Sequence, residues 1–214
     1  ALELVKLARE AGTREGRPIV SASDYGPLET FIRPAVEYRG DHVHDFLVDG
    51  ISIHHYRGLE DQNFVANMAS LMALLGSHGA PQDIFVTEHG VSLPPSLPQE
   101  RTQASQLARF ALLSRAAGLT GINYFTMVCN ECPTPFLHDF SLVRFLENES
   151  HIQVNDVRAP KPAFVALANF ANQLGEAEFI EELSWPTCVE DTVIAQKYRR
   201  SDQDILVAWT YGTR

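Results

Sequence analysis

The sequence predicts an α/β fold built on a parallel sheet, and three observations carry that prediction. From Arg17 to Met127, short apolar runs rich in Ile and Val alternate with longer runs at helical spacing, so strand and helix take turns. The strand starts, near Ile19, Ile51, Ile84 and Ile122, lie 32, 33 and 38 residues apart. Consecutive parallel strands cannot be joined by a hairpin and need a crossover of a dozen or more residues, which these intervals supply. The third observation is a change of character near the end, where a period of two replaces the helical period.

Leu2, Val5 and Ala8, with Leu4, Leu7 and Ala11 beside them, predict a first helix that stops at Gly12 and Gly16. Residues 17–23, Arg-Pro-Ile-Val-Ser-Ala-Ser, read as a strand. A second helix follows on Leu28, Phe31, Ile32, Ala35 and Val36, then the strand 49–56, Asp-Gly-Ile-Ser-Ile-His-His-Tyr. Phe64, Val65, Met68, Leu71, Met72 and Leu75 give the next helix, and residues 83–89, Asp-Ile-Phe-Val-Thr-Glu-His, the next strand. A Pro-rich stretch from Leu93 to Pro98 precedes a helix over 100–117, and residues 121–127 make a fourth strand. A long irregular connection from Val128 to Pro160 leads to a helix from Ala163 to Leu174. Residues 192–198 and 205–209 then alternate around the turn-like segment 201–204, the pattern of an antiparallel hairpin.

Two architectures fit this order. A four-stranded open sheet covered on both faces would normally begin with a strand and, to bind a nucleotide, carry a Gly-rich first turn; neither feature is present. The intervals are close to the ~31 residues per unit of an eightfold barrel of ~250 residues. The second half of such a barrel, strands five to eight, followed by the start of a C-terminal β domain, is therefore the expected fold. The division falls at residues 1–180 and 181–214. A lone half barrel leaves two open edges and an uncovered inner face, so this chain is expected to be a fragment, or to need the N-terminal half or a partner that covers it.

Composition narrows the partners. The chain has 214 residues, with 17 Lys and Arg against 27 Asp and Glu and a net charge of -10, which disfavours a grip on nucleic acid phosphates or an anionic membrane. No apolar run approaches the ~20 residues of a membrane span. Ala1 rather than Met opens the sequence, and Leu2 to Gly16 lacks the apolar centre of a signal peptide. Three cysteines are too few to staple a scaffold of this length, which leaves the compartment open.

The chemistry-bearing residues gather at strand ends. Glu88 closes the strand 83–89 and is followed by His89 and Gly90, the place where barrel enzymes keep catalytic groups. On the strand before it, His54 and Tyr56 share one face while His55 takes the other. Neighbouring strands lie ~4.8 Å apart, so a Tyr56 hydroxyl is in reach of a carboxylate on the next strand end. Tyr124, on the fourth strand, is placed to supply a wall on the other side, although an aromatic in a strand is more often core.

Four segments together resemble a known family: 49–56 (DGISIHHY), 84–90 (IFVTEHG), 121–126 (GINYFT) and 160–167 (PKPAFVAL). They are similar to the last strands and final helix of retaining glycoside hydrolases with a (β/α)8 barrel, most of all the β-xylosidase and α-L-iduronidase type. The likeness runs from about Arg17 to Leu174, and the terminal hairpin resembles the β domain that often follows such barrels. The resemblance implies a carbohydrate substrate and Glu88 as nucleophile, while His54, Tyr56 and Tyr124, from their places on the neighbouring strands, are expected to support it and bind the substrate. A retaining glycosidase also needs a second carboxyl ~5.5 Å away as acid and base. The family's Asn-Glu pair after strand four has no counterpart here, since Asn130-Glu131 and Asn148-Glu149 follow the fourth strand of this chain, which the resemblance makes strand eight. Alone, the chain is therefore expected to be inactive. Many relatives carry a Trp after strand eight, where this chain has Tyr124-Phe125-Thr126-Met127, leaving Tyr124 or Phe125 to take its place.

Other chemistries fit less well. His54, His55, Glu88 and His89 suggest zinc, but adjacent strand residues point to opposite faces, so the four cannot converge. Cys129-x-x-Cys132, with His138 and Cys188 elsewhere, is half of a zinc-ribbon pattern. No Gly-rich phosphate loop or nucleophile elbow appears, and no cofactor or metal is expected. The alternative from another functional class is a carbohydrate-binding or scaffold remnant of a barrel without catalysis.

Overall fold

A computed structural model describes residues 20–24, 32, 33, 37, 49–56, 64–80, 83–92, 97–127, 140–147, 153–183 and 193–210. The predicted first helix, the three cysteines, His138 and the two Asn-Glu pairs lie outside these residues. Four strands, β1 (Val20–Asp24), β2 (Gly50–His55), β3 (Ile84–His89) and β4 (Gly121–Tyr124), form one sheet in the order β1-β2-β3-β4, and every pair is parallel. Sequential order with crossovers of one hand lays each connecting helix on the same face, as in a singly wound barrel; a doubly wound sheet reverses its order. The fold is thus α/β with a partial-barrel sheet.

The helices bury one stripe each against that face. On α1 (Phe64–Ser77) the stripe is Phe64, Met68, Leu71 and Leu75; on α2 (Leu97–Ala116) it includes Phe110 and Leu113. These meet Ile51, Ile53, Ile84 and Val86 of β2 and β3 in one core. A completely buried side chain of this size contributes about 1.5–3 kcal/mol. Both helices stop in the same way. Gly79 and Gly118 adopt φ of 65° and 73°, and the next residues donate back, Ala80 to the Leu75 carbonyl and Leu119 to that of Ser114. This ending needs a left-handed residue, and it returns the chain to the sheet.

The segment expected to be irregular contains an antiparallel pair, β5 (Val143–Glu147) with β6 (Gln153–Pro160). Next comes α3 (Pro162–Leu174), with Pro162 in the first turn, where its missing N–H costs nothing. The final sheet has three strands, not two: β7 (Glu178–Leu183), β8 (Val193–Arg200) and β9 (Gln203–Thr210). β7 runs across residue 180, where the sequence divides the chain. The hairpin turn is only Ser201 and Asp202, because Arg200 pairs with Gln203. Arg115 of α2 donates to the Gly175 and Ala177 carbonyls, and the buried Tyr198 hydroxyl donates within 3.2 Å of the Leu112 carbonyl, tying this sheet to α2.

Candidate active site

An extra residue in β3 builds the site. Along β2 and β3 the register runs Ile51 with Ile84, Ser52 with Phe85 and Ile53 with Val86, then jumps to His54 with Glu88 and His55 with His89. Against β4 the register likewise shifts between Val86 and His89. Both neighbours see one residue too many, so the bulge belongs to β3, at Thr87. Strict alternation from Ile84 and Val86 would turn Glu88 toward the helices; the bulge turns it to the opposite face, the inner one of a barrel.

On that inner face Tyr56 donates its hydroxyl to Glu88 Oε2 at 2.5 Å. His54 Nδ1 stands 3.5 Å from the same oxygen. The Glu88 and His54 side chains are 40% and 30% exposed, so the carboxylate is both held and reachable. Both contacts fall on Oε2, and Oε1 has no partner among the described residues. The Tyr56 donor orients the carboxylate through Oε2, with His54 beside the same oxygen, and leaves the other oxygen to approach an electrophile.

Three rings wall this corner. Tyr56 meets Phe125 and Phe140 edge-on, with centroids 6.3 and 5.8 Å away, and Phe125 and Phe140 meet each other at 5.9 Å. Gly90 makes their approach possible: a Cβ there would fall on the Phe125 carbonyl oxygen and the Phe140 ring. The Phe125–Thr126 peptide is cis.

The helix-covered face behaves differently. His55 and His89 are 1% and 3% exposed. The His89 ring lies on Phe110 at 3.6 Å, and its Nδ1 is 2.6 Å from the His55 carbonyl oxygen. Burial lowers the pKa of His89 to about 4. The four metal-type residues are therefore split two and two, and among the described residues no three of them form a candidate metal centre.

Of the residues expected at the site, the structure brings Glu88, His54 and Tyr56 together. It does not bring Tyr124. Tyr124 pairs in register with His89, packs among Leu107, Leu142, Ala163 and Leu167, and donates its hydroxyl to the Phe140 carbonyl at 2.7 Å. Burial pushes its phenol well above the ordinary range. Its face is the helix-covered one, and Phe125, the other aromatic of that segment, takes the wall position. Phe140 carries no sequence signal for this role, because it lies outside every predicted strand and helix.

Known structures are similar to this chain. A family 39 glycoside hydrolase from the gut symbiont Bacteroides cellulosilyticus WH2 aligns with a TM-score of 0.66 at 23% identity, over 99% of this chain and 44% of that one. A conserved exported protein from Bacteroides fragilis aligns with a TM-score of 0.67 at 12% identity, over 100% and 49%. A β-porphyranase of glycoside hydrolase family 86 from the human gut bacterium Bacteroides plebeius aligns with a TM-score of 0.61 at 12% identity, over 98% and 40%. The chain spans less than half the length of each. No family model and no curated protein sequence matches it. The chain shares its fold with part of each of these proteins, and likeness at this level of identity shows the fold alone.

Proposed function

We propose that this chain is the C-terminal half of a retaining glycosidase barrel, strands five to eight, with Glu88 as nucleophile. The observation that carries the reading is the reachable carboxylate at the end of β3, held through one oxygen by Tyr56 with His54 beside it. In the first step Glu88 Oε1 attacks the anomeric carbon, the bond to the leaving oxygen breaks, and a glycosyl ester forms. The Tyr56 hydroxyl fixes the carboxylate plane during the attack, and Phe125 offers an apolar wall to the sugar.

The acid and base that protonates the leaving oxygen and later activates water belongs to strands one to four, outside this chain. On this reading the chain alone does not turn over ordinary glycosides. The sheet of β7, β8 and β9 begins an appended β domain, and the substrate is a carbohydrate. With strands one to four supplied, Glu88→Gln should lower turnover of aryl glycosides by about 10³-fold or more. Unchanged turnover would remove Glu88 from the nucleophile's role. Sugar binding without any turnover in the completed barrel would instead favour the non-catalytic remnant.

A further inference from the structure

We infer that His89 is a positioning residue for Glu88: its imidazole ties the tip of β3 to the tip of β2 just beyond the bulge and so keeps the carboxylate on the inner face. The functional meaning rests on Glu88 being the nucleophile; the geometry does not.

A bulge is uncommon in a parallel pair, and it loosens the ladder where it occurs. β3 carries one residue too many against both β2 and β4, so neither ladder pairs Thr87 regularly. Beyond it the β2–β3 ladder resumes at His54 with Glu88 and His55 with His89, and His89 adds two further bonds. Its side chain reaches the His55 carbonyl at 2.6 Å, on β2, and its own carbonyl accepts from the Phe125 N–H at 2.7 Å, just beyond β4. A carbonyl only accepts, so His89 carries its proton on Nδ1. Its Nε2 is buried with no partner among the described residues.

The ring has little freedom to leave. It stacks on Phe110 with 16° between planes; Phe110 in turn stacks on His55 at 5.2 Å, and His55 leans on Phe64 at 4.9 Å. Phe110 of α2 lies on His89 itself, and Phe64 of α1 braces that stack through His55 and Phe110. Glu88 and His89 are adjacent and face opposite ways. A twist that freed His89 would carry Glu88 away from Tyr56 and His54.

The test uses the whole chain with ¹⁵N-labelled histidine and ¹³C-labelled tyrosine. In the unsubstituted protein at neutral pH, His89 should be the Nδ1–H tautomer, and an Nε2–H tautomer overturns the inference without any variant. The Tyr56 Cζ resonance reports its hydroxyl's bond to Glu88, and Glu88→Ala, which leaves no acceptor, supplies the shift that marks loss of that bond. His89→Phe keeps the stack but removes the donor, and should move the resonance in the same direction. His89→Asn restores an N–H near the place of Nδ1 and should move it back. A His89→Phe protein that melts lower yet keeps the unsubstituted Tyr56 resonance would reduce His89 to a packing residue. If His89→Phe does not fold, the tautomer and His89→Asn decide. None of these spectra depends on glycosyl transfer, so failure of the nucleophile assignment is detected separately.

Discussion

The two faces of the β2–β3 tips use nearly the same residues for opposite purposes. On the inner face His54 and Glu88 are partly exposed and polar, with Tyr56 donating to the carboxylate. On the other, His55 and His89 are buried against Phe64 and Phe110. Each histidine has a neighbour in sequence that took the other face. What decides the role is the side of the sheet, and at Glu88 that side is set by one extra backbone residue rather than by side-chain identity.

This contrast is open to direct attack, beginning with the buried face. Phe110→Ala removes the ring on which both histidines lie and should cost about 3–5 kcal/mol in urea unfolding, while an equal truncation on the inner face should cost far less. Acid comes next. The pKa of His89 falls from 6.5 to about 4 on folding, so the unfolded chain binds the extra proton first between those values. The stability His89 permits is complete above pH 6.5 and is lost as pH falls toward 4, by about 3 kcal/mol. The difference between the unsubstituted chain and His89→Phe, followed by denaturant titration across that range, should show this loss; parallel curves would mean that His89 is not held neutral by burial.

Tyr56→Phe is the matching test of the inner face. Removing one hydrogen bond to a charged group should lower turnover in the completed barrel by about 10–100-fold, a loss of about 1.5–3 kcal/mol, while folding stability changes by less than about 0.5 kcal/mol. Tyr124→Phe should do the reverse and least of all. It should cost about 1 kcal/mol of stability through the bond to the Phe140 carbonyl and leave turnover unchanged. A large kinetic effect of Tyr124→Phe would return that residue to the sugar wall.

Much of the barrel segment was legible because its signals are redundant. Ile51, Ile53, Ile84 and Val86 alternate, and Phe64, Met68, Leu71 and Leu75 recur at helical spacing, so burial and periodicity agree. Three features were hidden for physical reasons. β6 contains Asn155, Asp156 and Pro160, and β7 carries Glu178, Glu181 and Glu182, residues that are poor strand formers whose pairing comes from tertiary context. The bulge at Thr87 has no Gly or Pro to announce it, so the sequence puts Glu88 at the strand tip without revealing what orients it. The place of Tyr124 near a strand end points to the mouth, yet its register with His89 turns it to the helices.

The most direct measurement is covalent trapping. The chain, completed by strands one to four, is treated with a 2-deoxy-2-fluoro glycosyl fluoride, whose leaving group needs no acid, and the labelled peptide is identified by mass spectrometry. The predicted result is one glycosyl ester on Glu88, absent in Glu88→Gln. An ester on any other carboxylate, or turnover of aryl glycosides with no ester at Glu88, would contradict the assignment of the nucleophile.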